Sequence, residues 1–558
     1  MQSPPDRVTN RPTGYFSVWH RLLRGYGPLL VFALLLGLVS WLAPTKVGDP
    51  AAAPIATSGG GGVGATTPSE DVPGSATDRT ESTSTAEAGG EAAGGDGGPA
   101  PQAGVVRPGG PQIPGDPYSP PAVQFSGDNG GETSKGVTAE TVRVAFRVLD
   151  EKGFMQTLAE LAGAELLDSP ETVRNTAAAL AEYFNQRLQF YGRSIDVQFY
   201  DGVGSTTREL LGLDVEKAVA DATRVAEELN AFADISAASA PYGDALADRR
   251  VVAMGMPWLS REWHVERHPF AWSLNTDCTI LAEQAAGFTV GRLQGEADFA
   301  GPGLAGKPRR IAGITPENPW YKQCVRHYQA RVDELSGGSI QTDWFSYRLD
   351  LGQLSTQAKN IIPQLAKGEY TSVIFGGDPI MPVFLSGEAN SQHYYPEFIP
   401  LGVALIDRDF VGQLLDPNFA ANMFGISSLG DSAEEPASST IAYEAFKSVR
   451  PDEEPAFSVD LIYYQMYMLA IGIQMAGPNL TPDTFAQGMF DYPATAGPAG
   501  LWDFGPGDYT AANDAREIYW DPGGTSLYNG RPGRWVNPTP GARYPNGEFP
   551  SGPLRIPR

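Results

Sequence analysis

Residues 169–200 read SPETVRNTAAALAEYFNQRLQFYGRSIDVQFY, and this stretch decides the fold class. It opens with a helix start, because Ser169 is a good N-cap residue and Pro170 suits the first helical position. Its end, SIDVQFY at 194–200, is a short apolar run that predicts a buried strand. An earlier apolar run, VRVAFRVL at 142–149, predicts another strand. The stretch therefore predicts a strand–helix–strand unit with parallel strands and a right-handed crossover.

The same alternation of strands and helices continues along the chain in two series. The first series continues with a helix at 214–229 and strands at 231–239 and 251–256, and a linking helix follows at 279–293. The second series has strands in RIAGIT, SIQTDWFSY, TSVIFGG and FIPLGVA, with helices at 319–335 and 351–365. A late segment at 460–476 is nearly all apolar and predicts a deeply buried helix. Two such series predict an α/β protein with two doubly wound lobes.

The N-terminal region has the features of a membrane anchor. Residues 1–25 carry four arginines, and residues 26–43 form an uncharged apolar run of the minimum length that spans a bilayer. The arginines place residues 1–25 in the cytoplasm and the rest of the chain outside. We expect 26–43 to be an uncleaved, single-pass transmembrane signal anchor at the cell membrane, with a cleaved signal peptide as the alternative.

The composition changes twice more along the chain. Residues 44–135 are rich in Gly, Ala, Pro, Ser and Thr, which predicts a disordered linker between the membrane and the folded region. Residues 136–521 carry the strand and helix patterns and are expected to form the two-lobed domain. Residues 522–558 are rich in Pro and Gly and are expected to be an extended tail.

The two lobes are each expected to be built from two separate segments. Lobe one is placed at about 136–273 and 430–500, and lobe two at about 274–429 and 501–521.

Charge and composition exclude several classes of function. The formal net charge is −25, so the surface repels phosphate groups and nucleic-acid binding is not expected. Only 2 Cys and 5 His are present, which argues against a Cys-rich zinc site or a His-built metal centre. Neither a G-x-S-x-G elbow nor an H-E-x-x-H motif occurs. We therefore expect no cofactor, no metal, no catalytic residues and no enzymatic activity.

The order of the segments resembles a known family, the type I periplasmic solute-binding proteins of the branched-chain amino-acid-binding kind. The similar segments are GVTAETVRVAF, YGRSIDVQFYDG, GITPENPWYKQCVRHYQ and DLIYYQMYMLAIGIQMAG, spread over roughly residues 136–521. The resemblance implies two Rossmann-like lobes joined by a hinge, with a small molecule such as an amino acid or amide captured between them. It also implies delivery to an ABC-type permease or sensing in the cell envelope. The alternative is a membrane-tethered envelope scaffold whose cleft is vestigial.

Ligand-binding residues of lobe one are expected at the carboxyl ends of its strands, where open α/β sheets bind their ligands. The segment Ser236–Ser239 follows one such end. The resemblance implies that Ser236 binds the ligand, together with Trp258 and Ser260 after the next strand. Trp258 departs from the family pattern, which has a small residue there. Its ring either contacts the ligand or belongs to the core.

Lobe two is expected to supply the opposite wall of the cleft. The family's aromatic residue after the first strand of this lobe corresponds to Trp320 or Tyr321. The family's acid for a ligand amine falls on Ala404, so the nearest acids further along the chain are the candidates. The ligand residues expected from lobe two are Trp320, Tyr321, Phe375, Asp378 and Asp407.

The two cysteines lie outside the membrane in this arrangement, where disulfides persist. Cys278 opens the linking helix and Cys324 lies on the next helix. They form either a mutual disulfide or two separate buried thiols.

Overall fold

The computed structural model describes residues 110–149, 154–163, 166–255, 259–430 and 436–556, all within one compact unit. The predicted cytoplasmic segment and transmembrane anchor lie outside the described residues, as do positions 44–109 of the predicted linker. Among the helices within the described part, none is long and apolar enough to cross a membrane.

Lobe one is built on a parallel five-stranded sheet. Its strands are β1 (Thr141–Val148), β2 (Ser194–Asp201), β3 (Ala233–Asp234), β4 (Val252–Met254) and β5 (Ala271–Trp272), in the order β2-β1-β3-β4-β5. The helices in this part of the chain are α1 (Phe154–Ala162), α2 (Pro170–Arg187), α3 (Thr206–Leu210), α4 (Val215–Thr223), α5 (Ala240–Asp248) and α6 (Arg261–Glu266). The predicted helix start is present, since the Ser169 side chain accepts a hydrogen bond from the Thr172 N–H.

Lobe two repeats the plan with a parallel sheet of order β7-β6-β8-β9. Its strands are β6 (Ile311–Pro316), β7 (Thr342–Tyr347), β8 (Ser372–Phe375) and β9 (Glu397–Pro400). Its helices are α7 (Cys278–Arg292), α8 (Pro319–Ser336), α9 (Leu354–Lys367), α10 (Met381–Ser391), α11 (Asp409–Gly412) and α12 (Pro417–Ala420). Both sheets therefore cross over in the doubly wound manner that the alternating pattern predicts.

The last part of the chain serves both lobes. Helices α13 (Ile441–Val449), α14 (Val459–Met475) and α15 (Pro482–Asp491) contribute to the core of lobe one, and α13 and α14 pack against α2. Fourteen residues of α14 are buried, which is why its sequence is almost uniformly apolar. The remaining strands are β10 (Phe424–Ser427), β11 (Thr495–Gly497), β12 (Gly500–Trp502), β13 (Asp514–Thr525), β14 (Pro532–Val536) and β15 (Tyr544–Pro545).

The third crossing between the lobes lies further along the chain than predicted. Residues 509–511 pair with Ser273 at the edge of the lobe-one sheet, and β13 then pairs with β10 on the side of lobe two. The segment assigned to lobe two from residue 501 therefore joins that lobe only at about Asp514. The first and third crossings touch where the Thr276 hydroxyl donates to the Ala512 carbonyl at 2.7 Å.

Order begins earlier than predicted, because residues 110–135 pack on lobe one. The Tyr118 ring stacks on Trp502 at 4.3 Å, and its hydroxyl donates to the Gly500 carbonyl. The Gln112 side-chain amide donates to Gln474 Oε1. The predicted linker is thus wrong for these residues. The prediction failed because the average composition of residues 44–135 does not show that one aromatic side chain, Tyr118, is buried to 1% exposure and anchors the segment.

The predicted extended tail at 522–558 is also wrong over most of its described length. Strand β13 continues to Thr525 and β14 pairs with it, so Trp535 lies in the core of lobe two. Phe549 and Leu554 are buried there as well. These apolar side chains anchor a segment whose glycines and prolines suggested an open chain.

Candidate functional site

Ser236 lies at the carboxyl end of β3, but its hydroxyl is held by its own lobe. Its Oγ accepts from the Arg147 N–H at 2.7 Å and donates to Asp234 Oδ1 at 2.7 Å. The Tyr242 hydroxyl donates to the other oxygen of Asp234 at 2.7 Å. Burial raises the pKa of Asp234 above its ordinary value. The hydroxyl of Ser236 thus supports a buried carboxyl group at the edge of the sheet.

A buried charge cluster lies beside this carboxyl group and was missed by sequence reasoning. The Arg147 guanidinium donates to Glu209 Oε1 at 2.5 Å and to Asp221 Oδ2 at 2.9 Å, and it lies 4.3 Å from the centre of the Tyr242 ring. All three charged residues are at most 5% exposed. A signal was available, because Arg147 is one of only two charged residues in β1, with Arg143, and lies close to the carboxyl end of the strand.

Ser239 and Ser260 begin helices. The Ser239 Oγ accepts from the Tyr242 N–H at 3.4 Å at the start of α5, and its hydroxyl donates to Glu209. The Ser260 Oγ accepts from the Trp263 N–H at 3.3 Å at the start of α6. Both side chains are N-caps, a role that serine fills well. Trp258 lies outside the described residues.

The carboxyl edge of lobe two holds a second polar group. Asp378 accepts from the N–H groups of Ile380 and Met381, both at 2.9 Å, and from the Tyr347 hydroxyl. Burial raises the pKa of Asp378. Burial, followed by the charge of Asp378, raises the pKa of Tyr321.

Two other predicted residues of lobe two have different surroundings. Phe375 is fully buried against Phe398, with ring centres 5.6 Å apart, and belongs to the core of the lobe. Asp407 accepts a hydrogen bond from the Ser427 hydroxyl, and burial raises its pKa. Neither is brought to Tyr321 by the contacts described above.

The carboxyl edges of the two sheets face each other. Trp320, just after β6 in lobe two, packs against the lobe-one cluster that includes Ala237, Tyr242 and Leu259. Those residues follow the carboxyl ends of β3 and β4. The Asn318 side-chain amide donates to the Leu210 carbonyl across the same boundary at 3.0 Å.

A disulfide lies next to this boundary. Cys278 and Cys324 are bonded, with their Cα atoms 5.4 Å apart. The bond joins α7, the first helix after the chain crosses from lobe one, to α8. Helix α8 also carries Trp320, so the covalent link holds this helix close to the crossing.

Known proteins share this architecture. Residues 164–525, well over half of the chain, match the family model described as periplasmic binding protein. No curated protein matches the chain significantly. A substrate-binding protein of an ABC transporter from Aeropyrum pernix is 13% identical, with a TM-score of 0.51 over 71% of this chain and 95% of its own.

Two further solved structures are similar to the chain at comparable levels. A fatty acid ABC transporter substrate-binding protein from Thermomonospora curvata is 16% identical, with a TM-score of 0.50, and the match covers 73% of this chain and 94% of that one. An ABC transporter solute-binding protein from Rhodopseudomonas palustris BisB5, in complex with 3,4-dihydroxy benzoic acid, is 10% identical, with a TM-score of 0.50. This match covers 73% of the present chain and 98% of the other. At these identities the likeness shows a shared fold.

Proposed function

Because the chain belongs to the periplasmic binding protein family, we propose that it binds a small organic solute between its two lobes. One observation carries the proposal: Trp320, just after β6 of lobe two, packs against the lobe-one cluster to which Ala237, Tyr242 and Leu259 belong. Ligands of open α/β sheets bind at such carboxyl edges, and two facing edges form a site that both lobes contact. A solute bound by both lobes favours the closed arrangement through its differential affinity.

The proposal is one of binding without chemistry. The polar side chains at the facing edges hold helix starts and buried carboxyl groups, as Ser239, Ser260 and Asp378 do. Such a rigid frame suits recognition of a ligand by shape and by a few polar contacts.

We further propose that the domain works outside the cytoplasm, tethered to the cell membrane by residues 26–43. The Cys278–Cys324 disulfide supports this placement, because disulfides persist in oxidising compartments. A permease of the ABC type or a signalling protein of the envelope would then receive the loaded form. The fatty acid named for the Thermomonospora curvata protein and the dihydroxybenzoic acid of the Rhodopseudomonas palustris complex are suitable probes, together with amino acids and amides.

A second candidate function, an envelope scaffold with a vestigial cleft, is favoured by a different observation. Helix α1 follows β1 of lobe one, yet its residues Leu158 and Ala159 are buried in the core cluster of lobe two. The Arg531 side chain also donates to the Ala162 carbonyl at 3.0 Å. This helix fastens the two lobes together and opposes the opening that ligand exchange requires.

Ligand screening separates the two functions. The purified chain is screened by thermal shift against amino acids, amides, fatty acids and hydroxybenzoic acids, and solutes released on denaturation are identified by mass spectrometry. A bound or co-purified solute supports binding. Empty protein from several preparations with no shift for any probe supports the scaffold.

Substitution of Trp320 tests the location of the site. Trp320→Ala should weaken binding of the identified solute by about tenfold, the loss typical of an interfacial aromatic residue. Trp263→Ala is the matched control, because Trp263 packs on the same cluster but belongs to lobe one alone. Equal losses in both variants would place the solute elsewhere.

A further inference from the structure

An apolar cavity lies inside lobe two, next to the carboxyl edge of its sheet. About 40 Å³ of it is accessible to the centre of a water molecule. Helices α7 and α8 form one side, and the ends of β6, β8 and β9 form the other. The residues that matter here are Ala285 and Val325 on the helices, Thr315 and Gly376 at the edge of the sheet, Trp344 on β7 and the Cys278–Cys324 disulfide.

The indole of Trp344 reaches the cavity because a glycine lies beside it. Trp344 on β7 pairs with Gly313 on β6, and a Cβ atom at Gly313 would lie only 2.5 Å from the indole ring. The ring therefore lies across the sheet. The Trp344 and Tyr328 rings form a T-shaped pair, with ring centres 5.4 Å apart.

Trp344 Nε1 is buried and has no hydrogen-bond partner among the described residues. Buried donors in native proteins are nearly always paired, so an acceptor belongs at this position. The Thr315 hydroxyl, which also lines the cavity, already donates to the Gly376 carbonyl at 3.0 Å.

The lining determines what fits. Among the described residues no charged side chain lines the cavity, and a buried charge without a partner costs far more free energy than hydrogen bonds there could recover. An uncharged aliphatic group gains about 0.8 kcal/mol for each methylene that it buries. One oxygen acceptor on that group would satisfy the indole N–H.

We propose that this cavity binds a short, uncharged aliphatic group that carries one oxygen acceptor, and that the group is the apolar end of the solute held between the lobes. The second half of this statement rests on the proposed function; the first half does not. Tyr321 and Gly376 both line the cavity, and Gly376 directly follows β8 at the facing edge, so the cavity and the cleft share a wall.

Straight-chain alcohols test the cavity directly. We would titrate the full chain with ethanol, 1-propanol and 1-butanol and follow the indole ¹⁵N–¹H resonance of Trp344, assigned by its loss in Trp344→Phe. The resonance should shift in a saturable way, with affinity rising about fourfold per methylene, the change that corresponds to about 0.8 kcal/mol. Absence of a saturable shift with every alcohol would overturn the proposal.

A second test fills the cavity with a larger side chain. Ala285→Leu should abolish the shift, and Val325→Phe serves the same purpose if the first variant does not fold. Ala330→Leu is the matched control, since Ala330 is exposed on α8 and should leave the titration unchanged. Alcohol binding that survives both filling variants would also contradict the proposal.

The link to the cleft is tested with a solute found in the screen. Its affinity should fall at least tenfold in Ala285→Leu and stay unchanged in Ala330→Leu. Loss of butanol binding with unchanged solute affinity would show that the cavity is separate from the solute site and would overturn the link. A saturable butanol shift without any solute from the screen would refute the proposed function and leave the cavity as a site of its own.

Discussion

Arg147→Met should destabilise lobe one severely. The substitution keeps an unbranched side chain in place of the aliphatic stem but removes the cation between Glu209 and Asp221, which are 0% and 2% exposed. The salt bridges to Arg147, at 2.5 and 2.7 Å, are the only ones these two carboxylates make among the described residues. Each carboxylate would then be buried without a counter-ion.

The expected loss is about 3–5 kcal/mol, the range found when one partner of a buried ion pair is removed. That is a large part of the 5–15 kcal/mol that holds a typical domain folded. The control is Arg348→Met, the same change at a pair in which the arginine side chain is 67% exposed. An exposed pair contributes only about 0–1 kcal/mol, so the two variants should differ clearly.

Urea unfolding followed by circular dichroism measures the loss, and limited trypsin digestion reports where it occurs. The N–H groups of Val203 and Gly204 donate to Asp221 at 3.0 and 3.1 Å, so the cluster holds the segment that leads to Arg208. Cleavage after Arg208 should accelerate in Arg147→Met and not in the control.

Neutralising the partners should restore stability. Arg147→Met combined with Glu209→Gln and Asp221→Asn removes the unpaired charges and should regain most of the loss. The reasoning is refuted if Arg147→Met costs less than 1 kcal/mol and leaves cleavage after Arg208 unchanged.

Three further predictions concern pH, the disulfide and the N-terminal segment. Burial raises the pKa of Asp508 from 3.8 to about 7, so the folded state binds the proton more tightly than the unfolded state, and this contribution to stability is lost as pH rises from about 4 to 7. The melting temperature of Asp508→Asn should therefore rise relative to that of the wild type across this pH range. A difference in melting temperature that stays constant with pH would contradict the assignment. Removing the disulfide with Cys278→Ala and Cys324→Ala should cost about 3–4 kcal/mol, because the bond closes a loop with a sequence separation of 46, and melting with and without reductant checks it. Tyr118→Ala should cost about 3–5 kcal/mol and expose residues 110–135 to protease, whereas unchanged protection would show that this segment is held by other contacts.

Much of the fold could be predicted from the sequence because its signals are local. The strand at 142–149, the Ser169–Pro170 helix start and the apolar helix at 460–476 were each placed within one or two residues of the observed elements. Strand propensity, N-capping and the apolar period depend on neighbours in the chain, so a single sequence carries them. The resemblance to periplasmic binding proteins rests on the order of these elements, and the family match confirms it.

The roles of the candidate site residues were decided by the tertiary structure. Ser236 and Ser239 were predicted to meet a ligand, but their hydroxyl groups meet Asp234 and Glu209. Glu209 lies 30 positions before Ser239 and 62 positions after Arg147. The cluster therefore cannot be recognised from a stretch of sequence as short as one helix or strand.

Residues 110–135 are likewise held by contacts between distant positions, since the Tyr118 hydroxyl donates to the Gly500 carbonyl 382 positions away. A hydroxyl, a guanidinium or a phenol ring pairs with whatever the fold brings within about 3–4 Å. Local patterns determine which strands and helices form, and the packing of those elements in three dimensions determines which polar groups meet.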